Sequence, residues 1–171
     1  MRIFKEEQRF NQLWLIILMV VSIIMPIGII LGTYIKNPKS YSTTELIGLL
    51  GLVVFAACII FFFKLSTRID QTGVYYKFFP FHLKYKHINW SEINKVYVRT
   101  YDAINDYGGW GLRGGALWNK SKGKAINISG DIGIQLDLIN GKKLLIGTQK
   151  KVDAERVLLT YKSKIKKSNN V

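Results

Sequence analysis

The chain has 171 residues, with 25 Lys and Arg against 11 Asp and Glu, a net charge of +14, and one cysteine. That length fits about one domain plus an additional segment. The lone Cys58 excludes an internal disulfide framework and a Cys-based metal site within one chain.

Residues 1–12 form a short basic N-terminal segment that precedes the first of two apolar blocks. The first block runs from Leu13 to Ile35 and the second from Leu46 to Phe63, both without a charge. A bilayer core about 30 Å thick needs about 20 helical residues to cross. Both blocks meet that length, and helix satisfies every backbone group without water. Residues 13–64 therefore read as a two-helix transmembrane hairpin. A cleaved leader fits poorly, because the first run is long and ends in Thr33-Tyr34-Ile35-Lys36. The polar Lys36–Glu45 stretch joins antiparallel helices, with Thr44 expected as the N-cap of the second and Glu45 at its positive end. Pro26 interrupts the first helix. Gly28, Gly32, Gly48 and Gly51 offer small faces for packing within the hairpin or between copies of the chain.

Charge sets the expected orientation. Arg2, Lys5, Arg9, Lys64 and Arg68 flank the outer ends of the hairpin, against Lys36 and Lys39 in its loop. Both termini are thus expected in the cytoplasm of a multi-pass cell-membrane protein. From residue 65 onward 19 Lys and Arg face 8 Asp and Glu, a net +11. Such a domain suits an anionic inner leaflet.

Residues 65–171 form the second part. Short β-prone runs alternate with turn residues: Thr67–Asp70, Val74–Phe79, His82–Lys86, Lys95–Tyr101, Ala125–Ser129, Ile132–Leu138 and Lys142–Gly147. Asn140-Gly141 signals a hairpin of type I′. Ala154, Val157, Leu158, Tyr161 and Ile165 then recur at helical spacing and predict an amphipathic helix over about residues 151–166.

Seven antiparallel strands capped by a C-terminal helix resemble the pleckstrin-homology (PH) fold. The whole chain is similar to small bacterial membrane proteins that carry a PH-like domain after a two-helix hairpin. The residues that carry the likeness are Arg68-Ile69-Asp70-x-x-Gly73-Val74-x-Tyr76, Pro80-Phe81, Ile88-x-Trp90-x-Glu92-Ile93, Gly109–Arg113, Gly133–Leu136 and Gly141–Thr148. The resemblance implies a mainly-β PH-like barrel and little about function. PH domains that bind phosphoinositides carry cations around the first hairpin loop. Here Gln71-Thr72-Gly73 carries none, which argues against that specificity.

Gly109–Gly114 matches G-x-G-x-x-G, but a dinucleotide site needs a strand before it and a helix directly after it. The stretch that follows is loop-like. His82 and His87 lie five apart, on opposite faces of an extended chain, and so do not share a metal. No acidic pair or Ser/His/Asp set stands out, so neither catalysis nor a cofactor is expected. The long Asp102–Lys124 connection is the candidate binding loop, through Tyr107, Trp110, Arg113, Trp118, Lys120, Lys122 and Lys124. Aromatics with cations suit a lipid interface or a protein partner. The structural alternative is that Trp110 and Leu112 plug one end of the β domain. Nucleic acid is disfavoured for a membrane-tethered domain. The sequence thus points to a non-enzymatic PH-like binding or scaffold module at the cytoplasmic membrane face. The alternative is an accessory subunit of a transport or envelope-assembly complex that acts through its helices.

Overall fold

The computed structural model describes residues 2–114 and 123–168. The chain divides into two compact units, Phe10–Phe63 and a second made of the N-terminal residues with everything from Lys64 onward.

The first unit is the helical hairpin. Helix α1 covers Leu13–Lys36 and α2 covers Thr43–Cys58, continued by a 3-10 turn over Ile59–Phe62. The 24 residues of α1 extend about 36 Å. The 16 α-helical and 4 3-10 residues of the second segment reach about 32 Å, because the 3-10 form rises further per residue. Both segments are long and apolar enough to cross a membrane, and their apolar side chains point outward, among them Ile17, Ile24, Ile35, Leu52 and Phe62. The hydroxyls of Ser22 and Thr33 donate to their own helix at Met19 O (2.8 Å) and Ile29 O (2.9 Å). That satisfies them without water. The N-cap of α2 is Ser42 rather than Thr44. Ser42 Oγ accepts from Glu45 N, and Glu45 Oε2 accepts from Ser42 N at 2.8 Å. The S-x-x-E spacing permits this reciprocal pair; Thr44, next to Glu45, cannot make it.

The second unit is mainly β. Strands β1 (Phe4–Arg9), β2 (Lys64–Ile69), β3 (Gly73–Phe79) and β4 (Lys86–Asn89) pair antiparallel in that order. Strand β1 comes from the N-terminal segment. Its inward residues are Phe4, Glu6 and Gln8, too polar a set to read as a strand. Arg9 pairs with Lys64, so the chain leaves and re-enters this sheet at directly opposed residues. The expected run His82–Lys86 is mostly turn, and β4 begins where it was to end.

The second sheet holds β5 (Ile93–Thr100), β6 (Gly111–Gly114), β7 (Lys124–Asn127), β8 (Ile132–Leu138) and β9 (Lys143–Gly147), in the order β5-β8-β9-β7-β6. All its pairs are antiparallel except β7 with β9. Among the described residues the strands form two sheets that are not closed, and the parallel β7–β9 pair departs from the expected all-antiparallel arrangement. The β8–β9 turn is not type I′. Gly141 alone takes a positive φ (+77°), and Gly141 N donates to Leu138 O at 3.0 Å. Asn140 instead spends its side chain on Lys142 N (3.0 Å), as in a hairpin closed by a G1-type glycine.

Helix α4 spans Lys151–Ser168 and buries Ala154, Val157, Leu158, Tyr161 and Ile165, the face its spacing predicts. The core beneath contains Leu65, Ile69, Val74, Phe78, Ile93, Ile134, Leu136 and Ile146. Trp90 joins three parts of it. Its indole N–H donates to Asp70 O at 3.0 Å and its ring lies 5.6 Å from that of Tyr161.

Candidate functional site

The described part of the Asp102–Lys124 connection, residues 102–114 with 123 and 124, holds regular structure. A short helix α3 covers Ala103–Tyr107 because Asp102 caps it, Oδ1 accepting from Ile104 N (2.9 Å) and Asn105 N (2.8 Å). Gly108 ends it in the left-handed region (φ +73°), and Gly109 N donates back to Ala103 O at 2.7 Å. The G-x-G-x-x-G match thus follows a helix, and its last four residues are strand β6. A phosphate cradle needs the reverse order.

The candidate residues separate into two groups. Tyr107 is buried, and with Tyr101, Ala103, Ala125 and Leu145 it forms a core cluster against which Trp110 packs. Those two aromatics serve the fold. Arg99, which sequence reasoning passed over, organises this cluster. Its guanidinium donates to Tyr107 Oη (2.9 Å) and Gln135 Oε1 (3.1 Å), and lies 3.7 Å from Asp106. Burial raises the Tyr107 phenol, and burial pushes Tyr101 up to about 12, although Asn127 Nδ2 donates to its oxygen at 2.9 Å. Both stay neutral at physiological pH.

A cleft of about 660 Å³ opens beside Trp110, lined also by Tyr101, Asp102, Asp106 and Asp131. Its carboxylates disfavour an anionic headgroup. Asp102 is spent on its cap, and Asp106 Oδ2 accepts from Asp102 N at 3.3 Å.

The second group is cationic. Arg113 is exposed and bends back, Nε donating to Trp110 O at 3.0 Å. Gly114 pairs with Lys124, and Lys124 with Leu144. The register therefore brings Arg113, Lys124, Lys142 and Lys143 to one end of the second sheet, all exposed. Lys142 and Lys143 were missed as site residues because their proximity depends on the parallel β7–β9 pair. Trp118, Lys120 and Lys122 lie outside the described residues.

At the polar turn between β2 and β3, Asp70 is buried and receives Thr72 N (2.9 Å) and Arg68 Nη2 (2.7 Å). Burial is the largest single influence and raises its carboxyl. The Thr72 hydroxyl and amide bonds with Arg68 outweigh it and hold the group below its usual range. His87 stacks on Tyr75 at 4.0 Å, while His82 Nδ1 accepts from Phe78 N at 3.3 Å. Burial, then Lys86, lowers the His82 imidazole. In the hairpin, a Cβ on Gly28, Gly32, Gly48 or Gly51 meets no heavy atom within 4 Å outside its own helix among the described residues.

Compared with known proteins, the chain matches no family model and no curated protein.

Proposed function

We propose that this chain is a membrane-anchored, non-enzymatic PH-like binding module on the cytoplasmic face of the cell membrane. The observation that carries the reading is the Arg9–Lys64 pair. A chain that departs from and returns to opposed strand residues has both ends of the intervening segment on one side of a bilayer, which supports the reading of the two apolar helices as a spanning hairpin. The basic balance of the β domain and the positive flanks support a position beside the anionic inner leaflet. Two sheets followed by a packed C-terminal helix support the PH likeness. The cationic end formed by Arg113, Lys124, Lys142 and Lys143 is the surface assigned to lipid phosphates, each cation contributing about 1 kcal/mol near such a surface.

The test is vesicle flotation of a soluble variant in which Phe10–Phe63 is replaced by Asn-Gly, which keeps β1 in place. Binding to phosphatidylglycerol vesicles that fades with salt and weakens in K142A/K143A and R113A is the expected result. No flotation on anionic vesicles at low salt sinks the lipid-binding reading.

The open faces at Gly28, Gly32, Gly48 and Gly51 favour a second reading, an accessory subunit whose hairpin recognises another membrane protein or a second copy. Cross-linking of the full chain in membranes that is lost in G28L/G32L supports it.

A further inference from the structure

Between β3 and β4 the chain turns through residues 80–85. Phe79, Phe81, Leu83 and Tyr85 are all exposed here, Leu83 at 75% and Phe81 at 61%. Lys84 and Lys86 alternate with them and are exposed as well. Water-facing turns are built from Gly, Pro, Asn, Asp and Ser. This one presents large apolar side chains on a firm frame. His82 N donates to Phe78 O at 2.8 Å, and the Phe81 ring stacks on the buried Phe78 ring at 5.9 Å. The exposure is therefore a fixed feature of the turn.

The strand register says which end of the sheet this is. Arg9 pairs with Lys64, and Lys64 pairs with Phe79. Phe79 is one strand spacing, about 4.8 Å, from Lys64. The chain enters Lys64 directly from the apolar segment that ends at Phe62, and Arg9 is followed within a few residues by Leu13, the first residue of α1. By covalent continuity alone, a bilayer crossed by those segments has its surface close to Phe79. The other end of β3 makes the contrast. There the turn is Gln71-Thr72, exposed and polar, about 20 Å away along the strand. One hairpin thus carries a polar turn at one end and an apolar, lysine-flanked turn at the end joined to the helices.

We propose that the Phe79–Tyr85 turn is a third membrane contact, which sinks Phe81 and Leu83 into the interfacial layer of the bilayer that the hairpin crosses. Tyr85 sits at headgroup depth, and Lys84 and Lys86 meet lipid phosphates. The contact fixes the tilt of the β domain on the membrane. It rests on the reading that α1 and α2 span the bilayer.

The test uses the full chain in phosphatidylcholine–phosphatidylglycerol vesicles. In a Cys58→Ser background, single nitroxide labels are placed at Leu83→Cys, Phe81→Cys, Gln71→Cys and, as the mid-span reference, Leu52→Cys. Collision with dissolved oxygen reports lipid, and collision with a nickel chelate reports water. The expected oxygen-to-nickel ratio at Leu83 and Phe81 is severalfold above that at Gln71 and approaches that at Leu52. Ratios at Leu83 and Phe81 equal to that at Gln71, with Leu52 still in lipid, overturn the contact alone; that is the outcome if the turn serves a protein partner absent from the vesicles. Nickel access at Leu52 overturns the spanning reading, and the contact with it.

Discussion

Glu6 and Thr148 stand 142 residues apart in the chain and meet in a buried hydrogen bond, Thr148 Oγ1 donating to Glu6 Oε2 at 2.6 Å. The other carboxylate oxygen accepts from Gln149 N at 2.8 Å, and Gln8 Nε2 reaches Gly147 O at 2.9 Å. The N-terminal strand is in this way fastened to the last strand and to the approach to α4, where Lys150 N donates to Thr148 Oγ1. Glu6→Ala leaves buried donors unmet and is expected to cost about 1–3 kcal/mol. Thr148→Ala costs less, because Gln149 N still serves the carboxylate. The pair is expected to be coupled by more than about 0.5 kcal/mol in a double-mutant cycle. Urea unfolding of the full chain in detergent micelles reads both. Additive losses refute the link.

Asp70 sets an acid limit on the same unit. Its carboxyl lies below the ordinary 3.8 in the folded protein because the Thr72 and Arg68 bonds outweigh its burial. A group depressed on folding adds stability that is fully present above its unfolded value. That stability is lost as pH falls below 3.8 and through the lower native value. Asp70→Asn, which cannot ionise, is expected to be less stable than the parent at neutral pH. The gap should narrow as the solution is acidified through that window, followed by unfolding midpoints against pH. A gap that stays constant to low pH refutes the assignment.

The legible parts of this fold are those whose signal is local. The apolar runs at Leu13 and Leu46 show by length and composition alone that they suffice to cross a membrane, and the Ala154–Ile165 stripe shows its core face by periodicity. Strand β1 does not. Its inward Glu6 and Gln8 look like surface residues until Thr148, Gln149 and Gly147 arrive from the far end of the chain. The parallel β7–β9 pair is equally non-local, so Lys142 and Lys143 could not be placed beside Lys124 from sequence. The aromatic character of the Asp102–Lys124 connection was readable, but its meaning was not. Tyr107 is buried in the cluster of Tyr101 and Leu145, and Trp110 packs against it while partly exposed. The His82–Lys86 run read as a strand, because its alternation has the period of β structure, but only Lys86 pairs, as the first residue of β4.

Trp110 and Arg113 separate packing from surface chemistry. Trp110 is partly buried against the Tyr101–Leu145 cluster, so Trp110→Ala is expected to cost about 2–3 kcal/mol, somewhat under the loss for a fully buried aromatic. Arg113 is exposed, and Arg113→Ala should leave stability within about 0.5 kcal/mol. Any loss of vesicle binding in Trp110→Ala must therefore be normalised to its folded fraction. Loss in Arg113→Ala reports charge directly. Equal destabilisation by the two refutes the division of the loop into a core half and a surface half.

The last prediction concerns how the β unit is isolated. Residues 64–171 alone lack β1, which leaves the backbone edge of β2 unpaired and strands the Thr148 and Gln149 donors. An open edge of this kind invites association between chains. Replacing Phe10–Phe63 by Asn-Gly instead joins Arg9 to Lys64, which already oppose each other across an antiparallel pair, through a two-residue hairpin turn. The joined variant is expected to be monomeric by size-exclusion chromatography and to unfold cooperatively. The truncation is expected to aggregate or to unfold at lower urea. The comparison isolates what β1 contributes, because the two chains differ only by the strand and its turn. Equal behaviour of the two means that the N-terminal strand is dispensable and that its bonds to Thr148 and Gln149 are not needed by the β unit.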